Sequence, residues 1–296
     1  MMPNPKHCHH RDPRSARGPE PRRLTRAQTH HRGFTLVEIA ISLVLLALAA
    51  VGVFAVLTQQ IEQHRISDTN VTLLKVHDAL LSFVTGYGRL PCPAQAGTNG
   101  AEAIASNVGG VITCTKEAGF LPAATLGMPN LDAWGLLEGA WNDGAGSTNG
   151  TYLRAIRYAV TGLNGATAAA LTSVSLGAPG SPTQRAAVQT AFNNNQGLFV
   201  CASSAGILPV GNRCGTQANT LSSNAAAIIW SLGSDAADLP NYSVDEQQNL
   251  NLTVPRVVIS RVYAPLGATG GQFDDLVSWI SYPVIADRLV YAGFVQ

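Results

Sequence analysis

The hydrophobic and polar positions along the chain change pattern twice. Phe34 to Leu57 are 24 residues without Lys, Arg, Asp or Asn, interrupted by one acid, Glu38. At 1.5 Å per residue a helix of that length reaches about 36 Å, enough to cross a hydrocarbon core of about 30 Å. A cleaved secretory signal has an apolar region of only about 7–15 residues and no acid within it, so the length predicts a segment that stays. Thr58 to Thr85 then contain neither Gly nor Pro and set Leu73, Val76, Leu80, Val84 and Tyr87 at steps of three or four. That spacing predicts a helix with one apolar stripe. Gly86, Gly88 and Pro91 are expected to end it. Together the two halves predict one helix of about 50 residues, roughly 75 Å long. Asp68, Thr69 and Asn70 break any sustained heptad, which speaks against a coiled coil.

Beyond Leu90 the texture shifts to short β-compatible runs separated by Gly, Asn, Ser and Pro: 152–160, 197–202, 226–232, 256–264 and 276–281. These predict an antiparallel sheet. Residues 181–192 read as a short helix, with Ser181 as N-cap, Pro182 in the first turn and Gln184 completing a capping box. VIADRLVYAGF, near the C-terminus, reads as another. Residues 139–180 and 203–224, rich in Gly, Ala, Ser, Thr and Asn, are expected to be long surface loops. No fixed-period repeat is present.

Charge sharpens this division. Residues 1–33 carry eight Lys/Arg against Asp12 and Glu20, and the remainder carries eleven against sixteen acids. Basic residues immediately before an apolar span hold that flank in the cytoplasm, which explains the charge better than nucleic-acid binding does. The acidic remainder argues the same way, and no nucleic-acid partner is expected. Residues 1–32 hold five prolines and few apolar groups, too few to fold. Their KHCHHR cluster, with His7, Cys8, His9 and His10, offers metal ligands that nothing in the segment would hold in place.

Cys8 lies in this leader, and Cys92, Cys114, Cys201 and Cys214 lie beyond the apolar run. Four cysteines in a segment outside the cytoplasm predict two disulfides, with three pairings possible. The short loops favour Cys92 with Cys114 and Cys201 with Cys214, and four separately buried thiols are the alternative.

Candidate chemistry is sparse. Residues 89–296 contain no histidine, which disfavours a Ser-His-acid triad or a histidine zinc site, and GxSxG, HExxH, P-loop and GxGxxG motifs are missing. Asp274 and Asp275 are adjacent, and neighbouring strand residues point to opposite faces, so they read as the start of a strand rather than a dyad. Asp235, Asp238, Asp245 and Glu246 lie within 231–247, an oxygen-rich stretch of the kind that can hold calcium, but the spacing matches no EF-hand. An ordinary solvated loop is the favoured reading, with no metal and no cofactor expected.

Gly33-Phe34-Thr35-Leu36-Val37-Glu38, followed by the long apolar run, resembles the processing site of type IV prepilins and type II secretion pseudopilins. GRLPCPA (88–94), TLGMPNLDAWG (125–135), IRYAV (156–160), IIWSLGSD (228–235) and FDDLVSWIS (273–281) are similar to phrases of bacterial pseudopilins and minor pilins. The leader is longer than in many such proteins, and GAWNDGAGSTNG is an insertion. The resemblance implies cleavage between Gly33 and Phe34 by a membrane prepilin peptidase and N-methylation of Phe34, neither catalysed by this chain. It implies an α+β fold of the type IV pilin kind: a long N-terminal transmembrane-to-periplasmic helix packed on an antiparallel sheet domain with loop insertions. The expected divisions are a cleaved leader (1–33), a transmembrane half-helix (34–57), a periplasmic half-helix (58–88) and a periplasmic domain (89–296).

An unpaired acid near mid-bilayer costs about 2.5–3.5 kcal/mol on insertion scales, so Glu38 needs a partner. The amine of Phe34 on a neighbouring copy would supply it, making Glu38 an assembly residue. The expected function is that of a structural subunit, a minor pilin or pseudopilin. It would be held in the bacterial inner membrane and polymerised into a pilus or pseudopilus. Its partners would be the peptidase, other subunits, an inner-membrane assembly platform and lipid. The alternative is a pilus-tip binding module whose loops recognise a secreted protein, a surface or DNA.

Overall fold

The computed structural model describes residues 33, 35–108, 111–129, 133–134, 155–161, 171, 197–211, 213–236, 242–252 and 256–294; at 51–59, 111 and 251 it describes the backbone alone. The expected helix at 181–192, the leader and most of the 139–180 loop lie outside these residues. Two compact units divide the chain, residues 1–55 and 56–296.

The long helix is α1 (Leu36–Tyr87). Gly86 remains helical, and Gly88 ends it in the left-handed region at φ 68°, its N–H donating to Val84 O at 2.8 Å. A non-glycine residue there would clash with its own backbone, which is why the stop falls at Gly88. Leu73, Val76, Leu80 and Val84 are buried, as the stripe predicts. Tyr87 is not: it is 59 % exposed and stacks on Phe83 with ring centroids 4.3 Å apart. The stripe drifts round the helix in its last turn, so that Leu81 and Phe83 are buried instead.

After α1 come a hairpin, β1 (Ile104–Val108) and β2 (Val111–Cys114), then β3 (Ala118–Phe120), α2 (Ala123–Leu126), β4 (Arg157–Val160) and β5 (Leu198–Cys201). The chain continues through β6 (Thr220–Ser231), α3 (Val244–Asn251), β7 (Val257–Ile259), β8 (Leu276–Ser281) and α4 (Tyr282–Tyr291). A six-stranded sheet runs in the order β3-β4-β6-β5-β7, with β8 also paired to β6. Ala225 pairs with both Leu198 of β5 and Ser281 of β8, so those strands flank β6 on opposite sides. Ala227 pairs with both Val160 of β4 and Ile280 of β8, so β4 and β5 follow each other along one edge of β6. β6 is therefore the central strand.

The sheet is mixed rather than purely antiparallel, because β5 and β7 pair in parallel. The chain reaches β7 from β5 by way of β6 and α3, a crossover long enough to restore the strand direction. β6 also begins earlier than its apolar core suggests. Its first half, TLSSN, was expected to be loop, but it is paired by β5 while staying largely solvent-facing, so polar residues suit it. β7 is shorter than the 256–264 run, and Val262 and Tyr263 beyond it are exposed.

Both faces of the sheet are covered, which explains the unbroken apolar AAAIIW of β6. On one face Tyr158, Val160, Ile229 and Ile280 pack with Leu73, Val76, Leu80 and Val84 of α1 and with Tyr282, Ile285 and Leu289 of α4. On the other, Ala159, Ile228, Trp230 and Val258 pack against Leu250 and Leu252 at the end of α3. Burying each large apolar side chain of the α1 stripe stabilises the fold by about 1.5–3 kcal/mol.

Candidate functional site

At the N-terminal end, Thr35 caps α1: its hydroxyl accepts from the Glu38 backbone N–H at 3.2 Å, and Ile39 N–H donates to Thr35 O at 3.1 Å. Glu38 thereby sits in the first helical turn, where the helix dipole favours an acid. Its side chain is exposed, and so are Leu36, Val37, Ile39, Ile41, Leu43 and Val44. Among the described residues of unit 1 nothing covers this apolar band, and Leu36 is 87 % exposed. A soluble monomer rarely shows so large a patch. Among the described residues no helix is long and apolar enough to cross a membrane. The side chains of 51–59, which complete the apolar run, lie outside that description.

Among the described residues nothing requires position 33 to be glycine. A Cβ there would meet nothing within 4 Å, and no left-handed backbone is required of it. Phe34 lies outside the described residues.

Two disulfides join Cys92 to Cys114 and Cys201 to Cys214, with Cα separations of 5.3 and 5.5 Å. The first fastens the β1–β2 hairpin to the segment leaving α1. The second closes the loop that follows β5, and Cys201 and Cys214 pack with Phe199, Val257, Ile259 and Phe273. Beside the first, Arg89 grips Glu102 through two hydrogen bonds of 2.8 Å, and Cys92 N–H adds a third at 3.0 Å. Burial alone would raise the Glu102 carboxyl, but these hydrogen bonds outweigh it and hold the group below its ordinary 4.5.

The acidic stretch 231–247 is not a simple loop. Its second part enters α3 through a capping box: Ser243 Oγ accepts from Glu246 N–H, and Glu246 Oε2 accepts from Ser243 N–H at 2.8 Å. The S-x-x-E pattern at 243–246 is the signal that announces this helix. The box turns its two acids apart. Asp245 accepts from Ser204 N–H at 2.6 Å and pairs with Arg261 at 3.3 Å. Glu246 is fully buried and meets Asp235 and Asp274, one oxygen from each of the three lying within 4.8 Å of the others. Burial raises the Glu246 carboxyl, and the Asp274 charge adds to the effect. Asp238 lies outside the described residues.

Asp274 and Asp275 do face apart. Asp274 Oδ2 accepts from Ser234 N–H at 2.7 Å and from Asp235 N–H at 3.3 Å, whereas Asp275 Oδ2 accepts from Asn249 at 2.7 Å. Gly233, at φ 71°, lets the turn after β6 close directly over Asp274; a Cβ would overlap the carboxylate. Among the described residues, Asp235, Glu246 and Asp274 are the group close enough together to hold a metal. Arg157 is half-buried nearby; its Nη1 donates to Leu250 O at 3.3 Å, and desolvation lowers its pKa to about 10.

The N-terminal end of α1 thus combines a capped first turn, an exposed acid and an exposed apolar band. Residues 28–54 match the Prokaryotic N-terminal methylation motif, which is typical of type IV pilins and pseudopilins. The match runs from before Gly33 into the apolar half of α1 and ends before unit 2. Searches of curated proteins and of solved structures each found no match.

Proposed function

We propose that the chain is a structural subunit of a type IV pilus or type II secretion pseudopilus, made as a prepilin. The observation that carries this is the methylation motif lying directly on an exposed apolar helix whose continuation is built into the sheet. On this reading the peptidase cuts between Gly33 and Phe34, and the new amine of Phe34 is N-methylated. Phe34–Leu57 then span the inner membrane with the leader cytoplasmic. Residues 58–296 stand in the periplasm, where disulfides form and persist. The chain itself catalyses nothing; the peptidase, other subunits and the assembly platform act on it or join it.

The free space around Gly33 among the described residues supports the cleavage reading, since it leaves the glycine open to a partner such as a peptidase. The exposed Glu38 supports the assembly reading, since among the described residues no group pairs with its carboxylate. Gly33→Glu tests the first: expression with a prepilin peptidase should leave the variant about 33 residues longer than the processed wild type on a denaturing gel. Equal mobility of the two would contradict the proposal.

A further inference from the structure

We propose that the loop at 261–272 is a membrane contact in its own right, with Val262, Tyr263 and Leu266 seated among the lipid headgroups of the bilayer that α1 crosses. The inference rests on the membrane span of the proposed function. These three side chains are 86 %, 52 % and 78 % exposed. A single exposed apolar side chain needs no explanation, but three on one loop form a patch. Turns in water favour Gly, Pro, Asn, Asp and Ser, so Leu266 between Pro265 and Gly267 is out of place in an aqueous turn.

The exposure is built in rather than the product of a loose loop. Ala264 and Phe273 exchange backbone hydrogen bonds of 2.8 and 2.9 Å, which close the loop at its base. Arg261 Nη2 donates to the carbonyls of Gly270, Gly271 and Gln272 at 3.2, 2.8 and 3.0 Å. The same guanidinium lies over the Phe273 ring and pairs with Asp245 of α3. Gly271, at φ 85°, lets the loop press onto the α3 cap, where a Cβ would stand 2.7 Å from Ser243 Cβ. Held from within by these contacts, the loop leaves Val262, Tyr263 and Leu266 facing outwards.

Its position selects the partner. Tyr263 and Pro265 line a cleft whose other wall is α1 between Gln60 and Ser67. Burial raises the Tyr263 phenol, and the nearby Glu62 charge adds to the effect. The apolar run of α1 ends at Leu57, so Gln60 follows it by about 4.5 Å of helix rise. The headgroup layer is about 5–8 Å thick on each side of the hydrocarbon core, which sets that end of the cleft within it. Tyrosine is enriched at this depth, and apolar side chains of peripheral segments bury about 5–10 Å into the headgroup boundary. Residues 262–273 carry no charged group that would have to be stripped of water on entry. A lipid surface is accordingly the occupant this loop fits.

The test uses the full chain with Cys8→Ser, so that an introduced cysteine is the free thiol beside the two disulfides, in vesicles of phosphatidylethanolamine and phosphatidylglycerol. An environment-sensitive fluorophore is attached in turn at Leu266→Cys, at Ser42→Cys within the apolar run, and at Val108→Cys. Val108 lies on the β1–β2 hairpin, which Cys92–Cys114 fastens to the segment leaving the far end of α1. All three positions are exposed, so the labels leave the core untouched. Lipids carrying a doxyl quencher just below the headgroup should quench the Leu266 probe several-fold more than the Val108 probe, and the difference should persist on dilution with further lipid. Lipids with the quencher deep in the acyl chain should quench the Ser42 probe. Quenching at Ser42 with Leu266 no more quenched than Val108 would overturn the proposal and leave the membrane span standing. Absence of quenching at Ser42 would overturn both. A Leu266 probe shielded from water only at a high ratio of protein to lipid would assign the loop to a second copy of the chain and would equally overturn the proposal.

Discussion

Among the described residues no group pairs with the Glu38 carboxylate, which sits exposed in the first turn of an apolar helix, and nothing packs where a Cβ on Gly33 would stand. We predict that Glu38→Ala leaves cleavage intact but removes the protein from filaments; sheared-filament fractions probed with an antibody would show it, and normal incorporation would contradict it. Glu102 is the opposite case, a residue whose partners all lie in its own chain. Its folded pKa is lowered, so the stability it adds is complete above the unfolded value near 4.5 and is lost as pH falls through the folded value. Glu102→Gln, which breaks the double contact with Arg89, should cost about 2 kcal/mol at pH 7. The cost should shrink towards zero in denaturant melts at the acid end, whereas a pH-independent loss would show that Glu102 acts by packing alone.

Among the elements, α1 is the one most legible in the sequence. Its uninterrupted run and its Leu73, Val76, Leu80, Val84 stripe carry the 3.6-residue period, and Leu80 is fully buried against the sheet. Leu80→Ala should therefore destabilise the folded unit by about 2–5 kcal/mol in equilibrium unfolding, while an exposed neighbour such as Leu74→Ala should cost far less. The strand of 226–232 is also legible, because two-sided burial demands an apolar run there, and that of 276–281 because Leu276, Val277, Trp279 and Ile280 are β-compatible. The first half of β6 is not, since TLSSN is polar wherever it is paired but solvent-facing. Nor is the parallel partnership of β5 and β7, which depends on where α3 returns the chain. α3 itself could have been read from Ser243 and Glu246, although its acid-rich surface masks it as a loop. Ser243→Ala should cost about 1 kcal/mol and loosen α3, seen as faster amide exchange at 244–247.

For the whole molecule, the division between residues 1–55 and 56–296 matches a division of labour. Among the described residues, the first unit exposes apolar surface and the acid Glu38, which on the proposed reading meet partners outside the chain. The second hides its apolar surface on both sides of a mixed sheet and is clamped by two disulfides. The acid cluster shows why the site was only half visible in sequence: Asp235 and Glu246 share the 231–247 stretch, but Asp274 arrives from another segment, and the α3 cap turns Asp245 away. The central claim is that the chain is processed and assembled through the junction at Gly33. The most direct measurement is mass spectrometry of the N-terminal peptide of the protein isolated from membranes of cells carrying a prepilin peptidase. An N-terminus beginning at Phe34 and heavier by one methyl group is the predicted result. A peptide that still runs through Gly33 into Phe34, with the peptidase active on its other substrates, would contradict it.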